Sequence, residues 1–130
     1  MSKQIVDGHF TTVEAEQFLI HPEAKVAASQ DTSITTPVSA NGAAGVITTQ
    51  DADANAAGAT VNTFTVNNSS VLAGSLVFVS IAAYAGTIVT NGIPAVHVSA
   101  VANGSFDVTI SNSHPANDLA GALTLHYHVM

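Results

Sequence analysis

The sequence predicts an all-β protein: an antiparallel β-sandwich or small jelly-roll-like barrel, preceded by an extended N-terminal arm. Three observations carry this. Short runs of alternating apolar and polar residues recur from Val61 to Met130, spaced by about ten to fifteen residues. Turn-forming Asn, Gly and Ser separate them, most clearly at Asn91-Gly92 and Asn103-Gly104. Between the runs no segment repeats its apolar residues at helical spacing, which disfavours a parallel sheet of alternating strands and helices. No internal repeat marks a solenoid.

The expected division is an arm and linker over residues 1–45 and a β domain over residues 46–130. The arm carries Asp7, Glu14, Glu16 and Glu23 together with Lys3 and Lys25. Thr12 to Leu19 has the composition of a short helix stopped by Pro22, but an extended strand anchored by Phe10, Phe18, Leu19 and Ile20 fits the same residues. Such arms have few local contacts and become ordered on a neighbour. Residues 1–30 are therefore expected to be dispensable for folding. Asp31 to Gly45 is rich in Thr, Ser, Ala and Gly around Pro37 and reads as an extended connection.

Val61 to Val66 alternates, with Phe64 and Val66 on one face and Thr63 and Thr65 on the other. Ser75 to Tyr84 is almost continuously apolar, as expected of a central strand or of one covered by a second subunit. Two alternating runs, Val96 to Val101 and Ser105 to Ile110, flank Ala102-Asn103-Gly104 and form the clearest hairpin. Ser111 to Asp118 reads as a loop. The final strand, Gly121 to Met130, puts Leu123, Leu125, Tyr127 and Val129 on one face, and Thr124, His126 and His128 on the other.

The charged fraction is only 8%, with 2 basic residues against 9 acids and a net charge of −7. An average soluble domain carries about 25% charged residues. Two lysines cannot displace the counterions of a nucleic acid, so DNA and RNA are excluded as partners. A surface of hydroxyls, amides and small apolar groups is instead suited to being covered by other subunits, since few charges must leave water. The chain has no cysteine, hence no disulfide or thiolate ligand. It has no apolar run of about 18 residues that would cross a membrane as a helix. Met1 to Phe10 lacks the apolar core of a signal peptide, which predicts maturation in a cytoplasm.

The 6 histidines are the candidates for site chemistry. His126 and His128 share one strand face, His97 lies on the polar face of another strand, and His114 is in a loop. Three imidazoles can hold Zn or Ni, and three copies of His126-Tyr127-His128 around an axis would resemble the metal-binding apex of some phage spikes. The ordinary reading is polar residues at an outer face or interface, and no cofactor or metal is expected. His97 and Asp107 are placed to pair across the sheet; a cross-strand pair is a commoner role than a catalytic dyad. No nucleophile elbow accompanies the serines. Asp51, Asp53 and Asn55 alternate as in a calcium loop, without the glycine and distal glutamate that such a loop needs. The expected protein is not an enzyme.

From Thr60 onward the chain resembles small structural proteins of tailed phages, especially those of cyanobacteria and marine bacteria. The resemblance rests on Ser75 to Val79, Gly92 to Val98, Gly104 to Asn112 and Asn117 to Leu125. It implies a β-sandwich that sits on the virion as a capsid decoration or cement protein, assembled in the host cytoplasm. It also implies two partners, the major capsid protein and the chain itself as a homo-oligomer, a trimer being the first expectation. A tail-fibre or receptor-binding module is the alternative, with Ser111 to Asp118 and the histidines touching a host glycan. A small carbohydrate-active enzyme using Asp107 or Asp118 is a distant third.

Overall fold

The Asn103-Gly104 turn is the strongest local signal in the chain, and the fold is built out from it. The computed structural model describes residues 25–52 and 61–130. Its strands are β1 (Lys25–Ser29), β2 (Val38–Ser39), β3 (Ala44–Thr48), β4 (Val61–Asn67), β5 (Val77–Tyr84), β6 (Pro94–Ala102), β7 (Ser105–Asn112) and β8 (Leu123–Val129). No helix occurs among the described residues. Gly104 adopts φ +82° while Asn103 keeps a negative φ. That is the pattern of a type II turn, in which only the second central residue needs the left-handed region. The turn is tied down on the segment before β5. Asn103 Oδ1 accepts from Ala73 N at 2.9 Å, and Gly104 N donates to Val71 O at 2.8 Å.

The strands form two four-stranded sheets, ordered β1-β3-β8-β5 and β2-β4-β7-β6. Packed face to face they make the expected sandwich. β8 runs antiparallel to β3 and β5, and β7 antiparallel to β4 and β6. The outer pairs β1–β3 and β2–β4 are parallel, so both sheets are mixed rather than purely antiparallel. The cause is a double crossing. The chain leaves the first sheet after β1, adds β2 to the second, and returns to the first as β3. Parallel neighbours require a crossover of this kind.

Alternation along each strand sets what is buried. Phe64, Val66, Phe106, Val108 and Ile110 of the second sheet meet Ile47, Leu123, Leu125, Tyr127 and Val129 of the first. β8 alternates buried Leu123, Leu125, Tyr127 and Val129 with outward Thr124, His126 and His128, as its sequence predicts. β5 is the edge strand of its sheet, so of the two places expected for it the central one is excluded. Val77, Val79 and Ile81 pack on the core, and Phe78 points outward.

The boundary between arm and domain also differs. Composition assigns Lys25 to Gly45 to the arm and linker, yet this stretch supplies β1 and β2 and buries Ile34, Val38, Ala40 and Ala44. Gln30, 3% exposed, is the tie. Its Nε2 donates to Ile34 O at 2.9 Å and Thr36 O at 2.8 Å, and its Oε1 accepts from Gln50 N at 3.0 Å. A buried amide with all its polar groups satisfied holds the 31–37 segment against the sheet. Gly45 shows how closely β1 and β3 pack. A Cβ there would lie 2.5 Å from Val26 O and 2.7 Å from the Tyr127 ring.

Tyr127 ties the two sheets together through its hydroxyl, which donates to Ala40 O at 2.9 Å with Gly42 O at 3.2 Å as a second acceptor. Burial pushes its phenol above the ordinary 10.0, opposed by a hydrogen bond from Asn68. The unfolded chain therefore ionises first. The stabilising preference for the neutral phenol is complete below pH 10.0 and is lost as pH climbs through the raised value in the fold. Urea midpoints are expected to stay level up to that pH and to fall above it. Tyr127→Phe should be less stable near neutrality by about 1–2 kcal/mol, because Ala40 O loses its donor. Its alkaline decline should be shallower; an equally steep one would assign the loss to other groups.

Candidate functional site

Several of the residues that the sequence nominates fall outside the described residues: Phe10, Phe18, Leu19 and Ile20, the predicted Thr12–Leu19 helix, and Asp53 and Asn55 of the calcium-like stretch. Asp51 is described, and its Oδ1 accepts from Gly121 N at 2.5 Å, a loop-bracing role.

The described histidines lie on both faces of the sandwich and in one loop. His126 and His128 stand on the outer face of the first sheet, in register with Val46 and Ala44 of β3 and with Ser80 and Phe78 of β5. His97 stands on the outer face of the second sheet, opposite Thr109. The core separates His97 from the other two. Among the described residues no three His, Cys, Asp or Glu side chains converge on a metal position. His114 works inside its loop, its Nδ1 accepting from Ala116 N at 3.1 Å and Asn117 N at 2.9 Å. Buried Asn112 completes that loop, with Oδ1 accepting from Ile93 N and His114 N at 3.0 Å each, and Nδ2 donating to Asn117 O at 2.8 Å. The loop expected to touch a glycan is thus held by its own polar groups.

The His97–Asp107 pair does not form. Asp107 sits in register with Thr65 and Ala100, and its Oδ1 accepts from Thr65 Oγ1 at 2.8 Å. Beside it, the Thr63 and Thr109 hydroxyls are 2.8 Å apart, and Thr109 donates to Ser99 at 2.8 Å. The outer face of the second sheet is therefore a hydroxyl array in which cross-strand neighbours satisfy one another.

The first sheet is different at one corner. Leu76 and Met130 exchange backbone hydrogen bonds at 2.8 Å in both directions, extending the β5–β8 pairing by one step. Leu76 is 59% exposed, Met130 62% and Phe78 56%. Alternation puts all three on the outer face, next to His128. Leu72, in the turn leading to β5, is also exposed, and Ile88, Val89 and Ile93 form a second exposed group in the β5–β6 connection. The sequence shows Leu76 and Phe78 within an apolar run but carries no signal for their face. Only the pairing of β5 with β8 shows that they point away from the core.

Lys25, Asp31, Asp51, Asp107 and Asp118 are the only Lys, Arg, Asp or Glu among the described residues. Almost the whole sandwich surface is thus uncharged. What this arrangement offers chemically is contact: apolar corners, hydroxyl faces and little desolvation cost when they are covered. In comparisons with family models, curated proteins and solved structures, nothing matches the chain.

Proposed function

We propose that this chain is a structural protein of a tailed-phage virion, a decoration or cement protein that binds between capsomers as a homo-oligomer. The observation that carries the reading is the sandwich surface, nearly free of charge and bearing exposed Leu76, Phe78 and Met130 at one corner. Burying such a surface against a shell removes apolar area from water at about 25 cal/mol per Å² while stripping few ions of solvent. The resemblance of its β region to phage structural proteins points the same way. Residues 1–24, with Phe10, Phe18, Leu19 and Ile20, would extend the contact onto the major capsid protein.

The test is binding to undecorated capsids, followed by counting copies. Full-length protein should co-sediment with the shells in hundreds of copies per particle, and residues 25–130 alone should bind far less. Copy numbers in the tens would favour the tail-fibre reading. Equal binding by the truncated form would remove the arm from the mechanism.

A further inference from the structure

The exposed corner of the first sheet lies within reach of the chain's own N-terminal segment. Lys25 opens β1, and its cross-sheet row reads Lys25, Ala44, His128, Phe78 through successive register pairs. Lys25 and Phe78 are therefore three strand spacings apart, about 14 Å at ~4.8 Å each. β1 runs parallel to β3, so the chain before Lys25 leaves from the same end of the sheet at which Leu76 and Met130 project. Ile20 precedes Lys25 by five residues and Leu19 by six, a reach of roughly 17 to 20 Å when extended. Phe18, Leu19 and Ile20 thus occur at the separation that brings them over Phe78 and Leu76.

Charge and relief agree. Among the described residues the outer face of the first sheet carries Lys25 and no carboxylate, while residues 1–24 carry Asp7, Glu14, Glu16 and Glu23 against Lys3. A shallow hollow lined by Lys25, Ala44, Gly45, Val46, His126 and Tyr127 lies on the path between β1 and β8.

We propose that the occupant of the Leu76–Phe78–Met130 corner is the chain's own 18–20 segment. It crosses the small-residue strip of β3 with Glu23 near Lys25 and seats Phe18, Leu19 and Ile20 on the apolar corner. The inference concerns the free protein and does not depend on a virion role. In a virion it would mean that the arm must leave this corner before it can reach a neighbour.

The absence of cysteine makes a direct test simple. In oxidised glutathione, Leu19→Cys with Leu76→Cys should close to an internal disulfide several-fold faster than the same pair carrying Phe78→Ser, which keeps the tether and removes the apolar seat. With both ends on one chain the effective concentration is of order millimolar, so in micromolar protein closure should outpace cross-linking between molecules by about 1,000-fold. The rate should be independent of protein concentration. As a second readout, residues 25–130 alone should bind an apolar dye more strongly than the full chain, and Phe78→Ser should abolish the excess. A closure rate unchanged by Phe78→Ser, or one that rises with concentration to give dimers, would overturn the proposal. Since Leu76 and Phe78 are exposed, none of these changes touches the core.

Discussion

Phe106→Ala is expected to cost about 3–5 kcal/mol, the upper end of what truncating one core side chain removes. Phe106 is 1% exposed and stands on β7, in register with Val66 on one side and Val101 on the other. Its ring meets that of Tyr127 across the sandwich, with centroids 5.6 Å apart and planes at 52°. Truncation would leave a cavity bounded by both sheets and deprive Tyr127 of the ring that orients it, so little collapse can offset it. A domain of this size has about 5–15 kcal/mol in total, and the urea midpoint should drop by roughly a third or more. Phe78→Ala is the control. Made in residues 25–130, where Phe78 is more than half exposed, the change should stay within about 0.5 kcal/mol. Comparable losses at the two positions would mean that β5 turns the wrong face inward.

The second large effect separates two truncations that differ by six residues. Removing residues 1–24 should leave stability within about 1 kcal/mol of the full chain and keep unfolding cooperative. Removing residues 1–30 should lose about 5 kcal/mol or more, enough to abolish a cooperative transition in a marginal domain. The difference is β1 and Gln30. Without β1, the edge of β3 is bare and the core loses Val26 and Ala28. Without Gln30, the carbonyls of Ile34 and Thr36 and the amide of Gln50 lose their partner. Gln30→Ala alone should cost about 1–3 kcal/mol, since each buried polar group left unmade carries its desolvation penalty. Circular dichroism melts of the three proteins distinguish these outcomes. An equally stable form lacking residues 1–30 would restore the later boundary that composition suggests.

That boundary illustrates what the sequence makes legible. β4, β6, β7 and β8 are readable because large side chains alternate with Thr, Ser and His, and a two-residue turn marks the hairpin. β1 is Lys-Val-Ala-Ala-Ser and β2 only Val38-Ser39, with no aromatic residue and too few positions for a period. Both are strands because β3 and β4 offer them an edge, a tertiary cause that local pattern cannot carry. The same limit applies to the candidate surface. The apolar character of Ser75 to Tyr84 is plain, but its exposed face is decided by the pairing of Phe78 with His128. His97 and Asp107 share an outward face as the alternation implies, yet a register offset gives Asp107 to Thr65. Faces could be read; partners across strands could not.

The position of β8 has a consequence for biosynthesis. It lies between β3 and β5, so the β1–β3 pair and β5 cannot join into one sheet until the chain has been made as far as Val129. The β6–β7 hairpin and its pairing with β4 can assemble earlier on the ribosome. Until then the nascent molecule presents half a sandwich, with Phe64, Phe106 and Ile110 uncovered. Long-range closure of this kind is slow and exposed to aggregation. Synthesis that stalls a dozen codons short of Met130 should therefore yield an insoluble product.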